Sequence, residues 1–193
     1  VPLRLAELFL EAGLPAGVLN VVHGLGNKAG QAIVENPQVP AISFTGGTIT
    51  GRKIAGIAAP MFKKLTLELG GKNPNIIFAD ADFDLAVETT LESSFSNQGE
   101  ICLCGSRVFV ERPFYEKFTD ALIAKTKSLV VGDPLDAKTR IGAPVSSAHL
   151  NKVLGYISLA RHEGGQVLCG GNAVKLTGRC AGGFFMEPTI IAA

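Results

Sequence analysis

Helix-spaced and strand-like stretches alternate along this 193-residue chain, with glycine-rich turns between them. That order is the signature of an α/β layer with mostly parallel strands. Leu5, Leu8, Phe9 and Ala12 recur at helical spacing, and Gly13 with Pro15 closes the segment. Residues 18–22 form a β-branched run, 24–30 a glycine-rich turn, and 31–35 a helical stretch that Pro37 stops. The apolar run 41–44 leads into Thr45-Gly46-Gly47-Thr48, from which a helix is predicted to about Ala59, and 65–69 is again extended. After Gly70 and Gly71 the rhythm restarts, so this glycine pair marks the boundary between two α/β units. Residues 75–78 read as a strand, and Asp80 or Asp82 caps a helix whose apolar face carries Phe83, Ala86, Val87, Leu91 and Phe95. A loop at 99–105 and a strand at 107–110 follow. Pro113 then opens a helix bearing Phe114, Phe118, Ala121 and Leu122, and Ser146 or Ser147 opens another bearing Leu150, Val153, Leu154 and Ile157.

Composition narrows the partners. Hydrophobic residues make up 47% and charged residues 18%, the profile of a globular chain. Lys+Arg is 18 against 17 for Asp+Glu, so there is no basic field to hold nucleic acid or an anionic membrane. Apolar runs are broken well before the roughly 20 residues of a membrane helix. No basic segment precedes an apolar one at the start, so secretion is not indicated. The four cysteines, Cys102, Cys104, Cys169 and Cys180, are too sparse for a disulfide scaffold, which points to a reducing compartment and a cytoplasmic location. Val1 stands where an initiator Met would, and the chain closes on Ile190-Ile191-Ala192-Ala193, so it reads as a segment of something longer.

Four places are candidates for chemistry. The turn from Gly24 through Gly26 to Gly30 has one residue more before its last glycine than the dinucleotide fingerprint, and a turn that merely needs positive φ explains it equally well. A second turn, Phe44-Thr45-Gly46-Gly47-Thr48, offers a helix amino end to a phosphate. Glu68 closes the stretch Leu65-Thr66-Leu67-Glu68-Leu69. It is either a carboxylate whose burial suits it to act as a general base or a solvent-facing partner of Thr66. Cys102 and Cys104 lie in a glycine-flanked polar loop, as inert packing or, with backbone N–H groups nearby, as a thiolate nucleophile. A C-x-C metal site needs two more ligands, and Cys169, Cys180, His23, His149 and His162 show no local pairing that supplies them. No metal site is expected.

The strings FTGGTITG, LTLELGGKNPNIIFADAD and FSNQGEICLCGSR occur in this order, and over all 193 residues the chain resembles the NAD(P)-dependent aldehyde dehydrogenase superfamily. The resemblance implies part of a Rossmann-like dinucleotide-binding domain over residues 1–70, followed by part of the α/β catalytic thiol domain over 71–193. It makes Cys102 the nucleophile, gives Cys104 no chemical role, and makes Glu68 the general base in place of a solvent-face residue. Thr45, Gly46, Gly47, Thr48 and Gly51 match the turn and helix start that receive the pyrophosphate. Gly26 and Gly30 match glycines near the adenosine half, and Leu69 matches the residue whose carbonyl faces the nicotinamide amide. Gly47 departs from the family, which usually has a serine there; its N–H remains, so a weaker or rearranged phosphate contact is expected.

The implied cofactor is NAD, with NADP left open, and the implied substrate is a small aldehyde oxidised to its acid through a cysteine thiohemiacetal and a thioester. NQGEICLC is similar to the branch acting on muconic-type semialdehydes. The family assembles as a homo-dimer or homo-tetramer. The oxyanion-hole Asn and the ribose-binding residues of the family match nothing in this sequence, so the isolated chain is expected to be inactive or nearly so. A catalytically silent structural or binding relative is the competing reading, and retention of both Cys102 and Glu68 argues against it. Glu68 likewise counts against a phosphorylating or CoA-acylating member.

Overall fold

Each half of the chain is organised around one pair of parallel strands. The computed structural model describes residues 1–193, and contacts divide them into two units, Val1–Leu69 and Gly70–Ala193.

In the first unit, α1 (Pro2–Glu11) opens on Pro2, whose missing N–H costs nothing at a helix start. The β-branched run at 18–22 does not form the expected strand. Val18 and Val22 are 66% and 65% exposed, and no other strand pairs with the run. Propensity alone cannot hold an extended segment whose N–H and C=O groups find no ladder. The glycine-rich turn is a single wide π-type turn, Gly26–Gly30, running directly into α2 (Gln31–Glu35). Strand β1 (Ala41–Gly46) pairs in parallel with β2 (Lys64–Leu69), from Ala41 opposite Lys64 to Gly46 opposite Leu69. Between them α3 (Thr48–Ala58) makes the crossover and buries Gly51, Ile54 and Ala58. Lys63 is buried, and its ammonium donates to the carbonyls of Val34 and Asn36, each at 2.6 Å. These are carbonyls at the carboxyl end of α2, where a cation satisfies both unpaired oxygens and the helix dipole.

The second unit repeats the plan. Strand β3 (Pro74–Ile77) pairs in parallel with β4 (Arg107–Val110), joined through α4 (Phe83–Phe95). Of the two candidate caps it is Asp82 that accepts the Leu85 N–H, at 2.9 Å, an arrangement worth about 1 kcal/mol. Helix α5 (Tyr115–Lys127) closes the core, in which Ile77, Ala86, Val87, Phe118 and Leu122 pack together. Phe83 meets Phe114 and Phe118 edge-on at 5.7 and 6.4 Å. Helix α6 (Ser147–His162) starts from Ser146, whose hydroxyl accepts the His149 N–H at 3.2 Å. Two antiparallel pairs complete the unit: β5 (Gln166–Cys169) with β8 (Ile190–Ala192), and β6 (Ala173–Val174) with β7 (Phe185–Met186). No helix is long and apolar enough to cross a membrane.

Candidate functional site

The residues singled out for chemistry fall in both units. In the first, the parallel pair brings most of them to one end. Thr45 stands opposite Glu68 and Gly46 opposite Leu69, and α3 begins immediately beyond. The carboxyl ends of parallel strands, where helices start, are where α/β folds place ligands. Gly47 caps α3 with an extended backbone (φ −74°, ψ 144°). No side chain bonds to the first-turn N–H groups and no acidic residue sits among them. A side chain added at Gly47 meets nothing within 4 Å, so this end of the helix is open. Uncapped donors together with the helix dipole fit an anion of the pyrophosphate kind.

Gly51 has a different job. An added Cβ would lie 2.7 Å from Leu69 Cδ2, so its bare α-carbon is what lets α3 lie close on β2. Gly30 has right-handed helical angles (φ −62°, ψ −46°), and neither it nor Gly26 meets anything within 4 Å of an added Cβ, so the first glycine turn is not there for positive φ. Glu68 is exposed beside Thr66 on one face of β2, while Leu65, Leu67 and Leu69 are half-buried on the other.

In the second unit the loop carrying Cys102 follows α4. Asn97, Gln98 and Gly99 adopt φ of 49°, 59° and 74° in succession, one left-handed turn that costs L-residues about 1–2 kcal/mol each. Conformations of this kind persist only where surrounding contacts over-determine them, and they gather at functional sites. Here the contacts are specific. Gln98 Oε1 accepts the Gly142 N–H at 3.3 Å, and Glu100 Oε1 lies 3.1 Å from His149 Nε2 in the first turn of α6. At the far end, the Gly105 N–H donates to the Ser93 carbonyl (3.2 Å) and hydroxyl (3.1 Å), while the Ser94 hydroxyl donates to the Gly105 carbonyl at 3.0 Å.

Between these anchors the Cys104 N–H donates to the Ile101 carbonyl at 3.0 Å, closing a turn with Cys102 and Leu103 at its tip. Cys102 is exposed and Cys104 is buried against the end of α4, with Sγ 4.0 Å from the Ser96 carbonyl. Two thiols separated by a single residue are thereby given opposite fates, one presented and one packed. The Asn73 amide reaches in from the segment before β3 and donates to the Cys102 carbonyl at 2.8 Å and the Cys104 carbonyl at 3.4 Å.

Cys169 is buried, and its acidity is shifted. Burial pushes it up, against the lowering pull of the Ile190 N–H and the Lys127 charge. A buried thiol of raised pKa is a poor nucleophile. Sequence reasoning missed Asn73, the two serines of α4 and the Glu100–His149 pair. Asn73 lies inside the GKNPN string, but only long-range contact shows what its amide touches.

The sequence profile of the aldehyde dehydrogenase family matches residues 1–193. The chain is 53% identical over 190 residues to 2-aminomuconic semialdehyde dehydrogenase of Danio rerio and 48% identical over 189 residues to that of Homo sapiens, covering 97% of this chain and 39% of each relative. It is 45% identical over 188 residues to betaine aldehyde dehydrogenase of Vibrio vulnificus, again covering 97% of this chain and 38% of the relative. Among solved structures it resembles PnpE in complex with nicotinamide adenine dinucleotide, with a TM-score of 0.94 and 42% identity over 99% of this chain and 39% of that one. It also resembles betaine aldehyde dehydrogenase of Staphylococcus aureus in complex with NAD+, with a TM-score of 0.90 and 40% identity over 97% and 37% of the two chains. The chain thus spans well under half the length of the relatives it matches, and over its whole extent it belongs to the aldehyde dehydrogenase family.

Proposed function

We propose that, within a protein of its relatives' length, this chain supplies the nucleophile, the general base and the dinucleotide turns for NAD-dependent oxidation of an aldehyde to its carboxylic acid. The observation that carries the reading is the presentation of Cys102 at the exposed tip of a turn fastened on both sides. The Cys102 thiolate adds to the aldehyde carbon, forming a C–S bond and moving the carbonyl electron pair onto oxygen. The N–H of Cys102 donates to that oxygen. Nicotinamide, when bound, accepts the hydride this carbon gives up. Glu68 then takes a proton from water as the water oxygen attacks the thioester carbonyl. The C–S bond breaks, the acid leaves and the thiolate is restored.

Thr45, Gly46, Gly47 and Thr48 would hold the pyrophosphate, with Gly51 serving that turn by letting α3 lie close on β2; Gly26 and Gly30 would lie near the adenosine half, and the Leu69 carbonyl would face the nicotinamide amide. NAD is preferred over NADP because the similar solved structures carry NAD. The greater identity to 2-aminomuconic semialdehyde dehydrogenases, 53% and 48% against 45% for a betaine aldehyde dehydrogenase, favours a muconic-type semialdehyde as substrate. The assembly is a homo-dimer or homo-tetramer. Catalysis needs segments beyond these 193 residues, which cover 39% of the first relatives, so the isolated chain is inactive.

The test is NADH formation by the complete protein with a hydroxymuconic-type semialdehyde and with betaine aldehyde. A kcat/KM about tenfold or more higher for the semialdehyde supports the substrate class. Undiminished turnover by Cys102→Ser overturns the mechanism.

A further inference from the structure

We infer that Asn73 is the positioning residue of the nucleophile, fixing the turn that presents Cys102; the inference rests on the reading of Cys102 as the attacking thiol. Its amide donates to the carbonyl of Cys102 itself at 2.8 Å and to that of Cys104 at 3.4 Å, and so spans the turn tip from one side to the other. A peptide carbonyl fixed in direction also fixes the α-carbon that carries the thiol, because the peptide unit is planar.

Asn73 is itself firmly mounted. Pro74 follows it and restricts its backbone to extended conformations. Its own carbonyl accepts the Arg107 N–H at 3.2 Å, and the preceding Lys72 carbonyl accepts Arg107 Nε at 2.8 Å. Since Arg107 opens β4, which pairs with β3, the amide is held at the head of a parallel strand pair and not by a free loop. Asn73 as a residue is half-buried; its bond to the Cys104 carbonyl is partly buried, while its bond to the Cys102 carbonyl lies at the surface.

The turn needs such an external anchor. It follows three successive left-handed residues and has one internal bond, Cys104 N–H to Ile101 carbonyl at 3.0 Å. The other fastenings act at Gln98, Glu100 and Gly105, whereas Asn73 acts on the reacting residue. Misplacing a reacting atom by about 1 Å costs on the order of a hundredfold in rate.

The experiment uses the complete enzyme with NAD and aldehyde, following thioester formation by rapid acid quench. Asn73→Asp keeps size and shape but removes the donor, and is expected to slow thioester formation about a hundredfold while leaving KM for NAD and the melting midpoint near their original values. Asn73→His restores a donor, Nδ1–H, at the same number of bonds from Cβ, and is expected to recover most of the lost rate. A merely structural role would lower the melting midpoint in both variants and would show no recovery with histidine. Unchanged thioester formation in Asn73→Asp, with Cys102→Ser inactive, overturns the inference alone. Retained turnover in Cys102→Ser overturns the reading beneath it.

Discussion

Thr45 and Glu68 stand opposite one another in the register of the parallel β1–β2 pair, so the glycine turn that starts α3 and the carboxylate at the end of β2 share one strand end. The glycines at 46 and 47 and the carboxylate at 68 are thereby parts of one edge, built by a single crossover.

Because Glu68 is exposed, its replacement should leave the fold intact, within about 0.5 kcal/mol. Glu68→Gln in the complete enzyme is expected to lower steady-state turnover by about 10²–10⁴ while a first turnover persists. Stopped-flow measurement should show a burst of NADH equal to the Cys102 content, followed by a slow phase; loss of the burst together with the steady state would mean that Glu68 serves the earlier step.

Gly47→Ser tests the helix end. Its φ of −74° suits any residue and the space around it is open. Serine is a better cap than glycine by a few tenths of a kcal/mol, and its hydroxyl adds a donor for phosphate. The expected outcome is a slightly raised melting midpoint and NAD binding tightened several-fold by calorimetry. Weakened binding would show that the missing side chain leaves room the dinucleotide uses.

Much of this was legible in the sequence because it is local. Asp82, Ser146 and the alternation through β2 act on neighbours a few residues away, and the structure has the helices and strands they imply. The run at 18–22 reads as a strand because valines favour one, yet pairing is decided by a partner that local pattern cannot display. The antiparallel pairs β5–β8 and β6–β7 were missed for the same reason: β6 and β7 are each two residues long, too short for periodicity. The motif around Cys102 marked the thiol, but which of two neighbouring sulfurs is exposed is settled by Asn73, Ser93 and Ser94, through contacts at long sequence separation.

Cys169 gives a pH prediction of definite sign. It is 7% exposed and burial raises its pKa. The unfolded chain therefore loses this proton more readily than the folded one. The stability it confers is complete below about pH 8.5 and is lost as pH rises through the folded value. Denaturation midpoints at about pH 7 and about pH 10 should fall more steeply for the native protein than for Cys169→Val; equal slopes would mean that the thiol stays protonated in both states.

Thr126 is 1% exposed and its hydroxyl has no hydrogen-bond partner. Thr126→Val replaces an unpaired donor with a methyl of similar size, so stability should rise by about 1 kcal/mol. A lower midpoint in thermal unfolding would show that the hydroxyl is satisfied in solution.

The central claim is that carbon–sulfur bond formation occurs at Cys102. Acid quench of the complete Glu68→Gln enzyme during turnover, followed by peptide mass analysis, tests it most directly. The account predicts the acyl mass on the peptide containing Cys102, at its sulfur, only when both NAD and aldehyde are present. An acyl group on Cys104, Cys169 or Cys180, or none while NADH still forms, would contradict it.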